Sequence, residues 1–191
     1  YEIHERLVGS EMCIRDRHCI RECFFCENNH QLEGDVELDE TFVGGKNHNR
    51  HANKKVKKCQ GRSFKDKTPV MGMLERGGNV VCRVVKNTSK KSLTAPILRT
   101  IKRSATLFTD EWRGYDTVGK IYTRYIVDHS HGQYVDGDAT TNSIEGFWSI
   151  LKRGIIGIYH KTSRKHLHRY VNEFVFRCSM CASLIINSIA L

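Results

Sequence analysis

The chain has 191 residues and a net charge of +10, because 31 Lys and Arg residues outnumber 21 Asp and Glu residues. Hydrophobic residues make up 39% of the chain and there are only two prolines, which excludes a disordered, collagen-like or proline-rich protein. No apolar run is long enough to span a bilayer, and the first residues do not have the basic-then-apolar pattern that a secretory leader would show. We therefore expect a soluble, cytoplasmic protein that does not bind membranes.

The positive charge is concentrated in one segment. Residues 1–43 hold four basic and 11 acidic residues, whereas residues 44–67 hold nine basic residues and one acidic residue. We name residues 44–67 the basic insert, and its candidate phosphate contacts are Lys46, Lys54, Lys55, Lys57 and Lys58. Such a cluster is typical of a surface that binds the phosphates of nucleic acid. The alternative is a solvated loop whose charge keeps the protein in solution.

Five strands are predicted from alternating or β-branched segments. The first covers residues 36–43, where apolar and polar residues alternate, and it ends at Gly44-Gly45. The remaining strands are 69–74 and 80–85, joined by a hairpin turn at 75–79, and then 105–110 and 122–127.

Three helices are predicted from the period of their apolar residues. The first is capped by Ser89 or Ser92 and runs to about Arg103. The second begins at Asn142, and its apolar stripe comprises Ile144, Phe147, Trp148, Leu151, Ile155 and Ile158. The last runs from about Arg164 to Cys178. This element order predicts an α/β protein of RNase H-like fold, with three antiparallel strands, then parallel strands, in a mixed five-stranded sheet flanked by helices.

Three acidic residues are candidates for chemistry. Asp39 lies within the first strand, Asp110 ends the fourth, and Glu145 lies in the first turn of the helix that begins at Asn142. If the first and fourth strands are neighbours, the three carboxylates converge and repel one another. Two divalent cations would neutralise them and clamp a phosphodiester, and carboxylate oxygens suit Mg²⁺ or Mn²⁺. The alternatives are a solvent-facing acid at Asp39, a turn former at Asp110 and a capping box formed by Asn142 and Glu145.

Other residues near these acids are suited to binding DNA. Lys152 lies two helical turns after Glu145 and therefore shares its face, where it can hold a DNA phosphate together with Arg153. Its alternative role is an ordinary surface charge. Trp112 and Trp148 are candidates to stack on unpaired bases, although the apolar stripe favours a core position for Trp148.

The eight cysteines include two Cys-x-x-Cys pairs, Cys23–Cys26 and Cys178–Cys181. Two such pairs have the spacing of a tetrahedral zinc site. However, the residues between Cys23 and Cys26 are both Phe, not the Gly or Pro of a zinc knuckle. We therefore expect buried, reduced cysteines and no structural zinc.

Three blocks together resemble the catalytic domain of DDE-type insertion-sequence transposases, in the branch with an Asp-Asp-Glu-Lys set. The blocks are VELDETFVGGK at 36–46, TDEWRGY at 109–115 and TNSIEGFWSILKRG at 141–154. The resemblance implies an RNase H-like, integrase-like fold and Mg²⁺-dependent cleavage at transposon ends, with Mn²⁺ able to substitute. It also implies joining of the 3′-OH to target DNA, a homo-oligomer assembled on DNA, and a place on the nucleoid.

The resemblance also implies roles for single residues. Asp39, Asp110 and Glu145 match the metal-binding catalytic acids and Lys152 matches the lysine, while Asn142 is an alternative for the third position. The match covers about residues 32–177, which we expect to form the catalytic domain, with a tail at 178–191. Residues 1–31 would be a remnant of the region that recognises transposon ends, and residues up to about 17 resemble translated sequencing adapter and are expected to be non-native. Two other functions stay open: a catalytically silent DNA-binding remnant, and a nuclease without strand transfer.

Overall fold

The computed structural model describes residues 14–44, 51–55, 63, 66–127, 141–160 and 162–189. Five strands form one sheet in the order β3-β2-β1-β4-β5. The strands are β1 (Asp35–Val43), β2 (Thr68–Glu75), β3 (Val80–Val84), β4 (Thr106–Thr109) and β5 (Thr123–Ile126). The helices are α1 (residues 14–23), α2 (Lys90–Thr100), α3 (Asn142–Gly154) and α4 (Leu167–Ile189).

The central strand β1 is antiparallel to β2 and parallel to β4. Strand β3 extends the antiparallel side, and β5 extends the parallel side. The predicted fold class is therefore confirmed: the chain has a mixed sheet of RNase H-like type flanked by helices. Most of β1 is buried, because helices pack against both faces of the sheet.

Two apolar clusters cover the two faces of the sheet. One contains Leu38 of β1 with Leu93 and Ile97 of α2. The other contains Ile144 and Trp148 of α3 together with residues of α4. The helix α3 buries the face that its apolar stripe predicts, so the sequence pattern and the packing agree from residue 144 to residue 155.

The apolar stripe ends before Ile158, which corrects one expectation. Residues Ile155–Tyr159 form a π-helix, and Ile158 is 59% exposed although Ile155 is buried. A π-helix has more residues in each turn than an α-helix, so it rotates the following side chains away from the α-helical face. The segment ends at His160, whose φ is 55°.

Two further helical segments depart from the sequence expectations. Helix α1 was not predicted, and α4 continues to Ile189 instead of ending near Cys178. Residues 178–189 contain neither Gly nor Pro, so no residue there stops the helix. In the described residues, no helix combines the length and apolarity that crossing a membrane requires.

Candidate active site

Asp39 and Asp110 follow paired positions on adjacent parallel strands. Leu38 of β1 pairs with Thr109, the last residue of β4. Asp39 is the next residue along β1 and Asp110 is the first residue after β4, so the two acids lie side by side where β4 leaves the sheet. Ligand sites of α/β sheets gather at such strand ends.

Asp39 is held by the helix that packs on its face of the sheet. The indole Nε1 of Trp148 donates a hydrogen bond of 2.9 Å to Oδ2 of Asp39. Trp148 can lie this close because Gly72, which pairs with Asp39 on β2, has no side chain. A Cβ at Gly72 would lie 2.5 Å from the Trp148 ring. The expectation of a core position for Trp148 is confirmed, since only 3% of it is exposed.

The pKa of Asp39 indicates what surrounds its carboxyl group. This pKa is raised from 3.8 to about 6: burial is the largest cause, and the negative charges of Asp110 and Glu145 also raise it, whereas hydrogen bonds from the backbone of Glu40 and the side chain of Trp148 lower it. The three predicted acids therefore interact with one another through their charges.

Asp110 is positioned by an arginine that the sequence analysis missed. Arg124 of β5 donates from Nε to Oγ1 of Thr109 at 2.8 Å and from Nη2 to the carbonyl oxygen of Asp110 at 3.0 Å. The Arg124 side chain is only 8% exposed. The carboxylate of Asp110 accepts a hydrogen bond of 3.1 Å from the backbone N–H of Trp112. Because Arg124 lies in a short strand with no motif around it, only the fold places it here.

Glu145 lies in the first turn of α3 and is exposed. Its charge reaches Asp39, but the three carboxylates are not gathered at coordination distance. In the described part of the chain, no three His, Cys, Asp or Glu side chains form a group that could hold a metal ion. The structure thus places the three acids close enough for their charges to affect Asp39, but not close enough to form a ready metal site.

A family model matches most of the chain. The model of the ISXO2-like transposase domain matches residues 31–179, which is more than half of the chain. The chain belongs to this family of transposase domains. The chain is also similar to an uncharacterized protein in transposable element ISH50 of Halobacterium salinarum (strain ATCC 700922 / JCM 11081 / NRC-1), with 28% identity over 155 residues. The match covers 76% of this chain and 52% of that relative, so the chain spans about half the relative's length.

A second carboxylate on β1 of this transposase domain was also missed. Glu37 is fully buried, and its two oxygens accept hydrogen bonds from the backbone N–H of Ile144 in α3 and from Nε of Arg76. It lies two residues before Asp39 and therefore faces the same side of the sheet. The sequence signal was a glutamate at an inward position of the strand, which the alternation of β1 places beneath a helix.

The predicted DNA contacts are only partly within the described residues. Lys152, Arg153 and Lys55 are exposed, and Arg153 donates to the carbonyl of Ser149 at 3.3 Å; their contact with DNA stays a prediction. Trp112 is 40% exposed and donates from Nε1 to the carbonyl of Thr88. Most of the basic insert lies outside the described residues, including Lys46, Lys57 and Lys58 as well as the side chain of Lys54.

The cysteines correct one expectation and leave another untested. Cys82 is buried, but Cys23 and Cys26 are exposed. Helix α1 and the residues after it use Arg21 and Phe24 to contact α4, which leaves the thiols outside: Arg21 pairs with Glu173, and Phe24 stacks on Phe176. The side chain of Cys181 lies outside the described residues, so the zinc question remains a prediction.

The side chains present in this transposase domain fit a divalent cation by their chemistry. All three candidate ligands are carboxylates, the donor type that Mg²⁺ and Mn²⁺ prefer. Burial is the largest cause of the raised pKa of Asp39, and the negative charges of Asp110 and Glu145 add to it. A cation held by these carboxylates would remove the repulsion between them.

Proposed function

We propose that this domain cuts DNA at the ends of an insertion sequence and joins the freed 3′-OH to target DNA in a cation-dependent reaction. The carboxylate cluster carries the proposal: Asp39 lies in β1 beside the end of β4, where Asp110 follows, and its pKa is raised by burial and by the charges of Asp110 and Glu145. Like charges brought together in this way have no benefit for folding, and perturbed acids of this kind cluster at functional sites. The family to which the domain belongs generally uses a divalent metal.

Asp39, Asp110 and Glu145 would hold the cation, for which Mg²⁺ is the expected ion and Mn²⁺ a substitute. A bound divalent cation supplies Lewis-acid activation of the attacking oxygen and stabilises the charge that develops on the phosphodiester. The protein prepares this site by fixing its ligands: Trp148 orients the Asp39 carboxylate, and Arg124 fixes the backbone at Asp110. Preset ligands do not have to reorganise when the substrate arrives.

The DNA partner would be held by charge. Lys152 shares a face of α3 with Glu145, and Arg153 is exposed beside it. Both would bind backbone phosphates next to the cut, and the lysines of the basic insert would extend this contact along the duplex. A homo-oligomer assembled on two transposon ends, and association with the nucleoid, complete the proposal.

The test is a cleavage and strand-transfer assay with the full chain. The substrate is a 5′-labelled duplex that carries the terminal repeat of the element, with supercoiled plasmid as target, in Mg²⁺ or Mn²⁺. We expect Asp39→Asn, Asp110→Asn and Glu145→Gln each to lower cleavage by at least about 100-fold without changing the Kd for DNA. The matched control is Glu111→Gln, which removes an exposed carboxylate next to Asp110. Wild-type activity in Asp39→Asn would refute the assignment.

The same assay separates the other candidate functions. Cleavage without joined products would identify a nuclease, and DNA binding without cleavage would identify a silent remnant. Comparing Asn142→Ala with Glu145→Gln decides the third ligand, since both residues lie in the first turn of α3. The residue that serves as ligand is the one whose loss weakens Mn²⁺ binding.

A further inference from the structure

We infer that Glu37 is a positioning residue that fixes the first turn of α3, and hence Glu145, against the strand that carries Asp39. This inference rests on the proposed function, since it concerns the same carboxylate site. Glu37 itself is directed at the helix and not at the substrate, because both of its oxygens accept hydrogen bonds from protein groups.

The contact of Glu37 with α3 replaces a missing helix cap. The first backbone N–H groups of a helix have no partner within the helix. Thr141, the N-cap residue of α3, makes no side-chain cap hydrogen bond. Instead Oε2 of Glu37 accepts a hydrogen bond of 3.0 Å from the N–H of Ile144, 107 residues away in the chain. A carboxylate at this end also suits the positive end of the helix dipole.

A purely structural role would not require this arrangement. A side chain at N-cap position 141 could cap α3 locally, and an apolar residue at position 37 would avoid burying a charge. Glu37 is completely buried, and its charge is balanced by Arg76, whose Nε lies 3.1 Å from Oε1. Capping α3 from Glu37 has a geometric benefit. Residues 37 and 39 are about 7 Å apart on one strand. That strand therefore sets the positions of both Asp39 and α3.

Arg76 links this contact to the strand that precedes Asp110. Its guanidinium carbon lies 4.0 Å from the centre of the Phe108 ring. Phe108 lies in β4, two residues before Asp110, which directly follows that strand. The Glu37–Arg76 pair therefore contacts β4 and α3 at once, and the strand β1 that contributes Glu37 also carries Asp39.

The experiment compares Glu37→Gln and the double variant Glu37→Leu/Arg76→Leu with the wild-type chain. The matched control is Asp35→Asn, which removes an exposed carboxylate 3.9 Å from the same arginine. Three properties are measured on each protein: the thermal unfolding midpoint, hydrogen exchange of the Ile144 amide by NMR, and Mn²⁺ affinity by titration calorimetry without DNA. The double variant replaces the buried ion pair with apolar side chains, so it keeps the packing and can be as stable as wild type.

We expect the Ile144 amide to exchange about tenfold faster in both Glu37 variants, because the charged acceptor is lost. Mn²⁺ should bind about tenfold more weakly to them, and Asp35→Asn should match the wild type. A stable double variant with wild-type Mn²⁺ affinity would reduce Glu37 to a structural role and overturn the inference while the proposed function stands. If the wild-type chain bound no Mn²⁺ and cut no DNA, the proposed function itself would fail, and with it the role of Glu37.

Discussion

At the residue scale, Asp39 combines two opposing requirements. Its carboxylate is largely buried and lies beside two other acids, which favours the neutral form. It also accepts a hydrogen bond from Trp148 in the neighbouring helix, which favours the charged form. Burial dominates, because the net effect raises the pKa to about 6. Without a cation, the folded state is therefore destabilised by ionising Asp39 at neutral pH.

This conflict predicts how stability depends on pH in EDTA. The pKa of Asp39 is about 6 in the folded state against an ordinary 3.8, so the folded state binds this proton more tightly between those values. The contribution to stability is fully present below about pH 4 and is lost as the pH rises through about 6. Asp39→Asn has no such proton, so we expect its free energy of unfolding to exceed that of wild type by about 3 kcal/mol at pH 7.5 and by less than about 1 kcal/mol at pH 4.

Urea unfolding of both proteins at the two pH values measures this difference, and other titrating groups cancel in the comparison. Glu111→Gln, which lacks an exposed acid, should follow the wild type at both pH values. An equal difference between Asp39→Asn and wild type at pH 4 and pH 7.5 would mean that Asp39 has an ordinary pKa.

At the element scale, the crossing of α3 and α4 depends on one glycine. A Cβ at Gly154 would lie 2.0 Å from Cζ of Phe174, whose ring is buried in α4. The two helices approach this closely because position 154 has no side chain. The crossing matters for the site, because α3 carries Glu145 in its first turn and Lys152 in its last.

We expect Gly154→Ala to lower the free energy of unfolding by about 1–3 kcal/mol, since the Phe174 ring must move. Gly146 of the same helix is the matched control. A Cβ there meets nothing within 4 Å, so Gly146→Ala should raise stability by up to about 1 kcal/mol through helix propensity. Chemical denaturation of both variants measures these changes in the free energy of unfolding. If both variants were stabilised, or both destabilised, the close crossing at Gly154 would be contradicted.

At the scale of the whole molecule, the sequence predicted the sheet and the placement of the acids on it. The strand pattern of residues 36–43 and the apolar period of α3 are local signals, and both elements form where these signals predict, although β1 is buried on both faces instead of alternating in burial. Placing strands one and four side by side needed the fold class as well, because parallel neighbours are distant in sequence. Once these two strands are placed side by side, Asp39 and Asp110 are predicted to be neighbours.

The sequence could not predict the roles of Arg124 and Glu37, because these roles depend on tertiary contacts. Arg124 and Glu37 act through partners 14 and 107 residues away, and no spacing rule connects such positions. The hydrogen bonds of the π-helix after Gly154 span one residue more than those of an α-helix, which the apolar pattern of IIGIY does not reveal. The sequence therefore identified the candidate ligands but not the residues that hold them in place.

The charge of the whole chain leads to the last prediction, which concerns DNA affinity. Phosphate contacts release counterions, so log K falls linearly with log salt, with a slope that grows by about 0.9 for each contact on duplex DNA. We expect Lys152→Gln and Arg153→Gln each to reduce the slope by about 1, measured by fluorescence anisotropy of a labelled duplex across a salt series. Lys102→Gln is the control: Lys102 is exposed, pairs with Glu33 and precedes β4, at the opposite end of that strand from Asp110. If Lys102→Gln reduced the slope as much as Lys152→Gln, DNA would not be bound at the carboxylate end of the sheet.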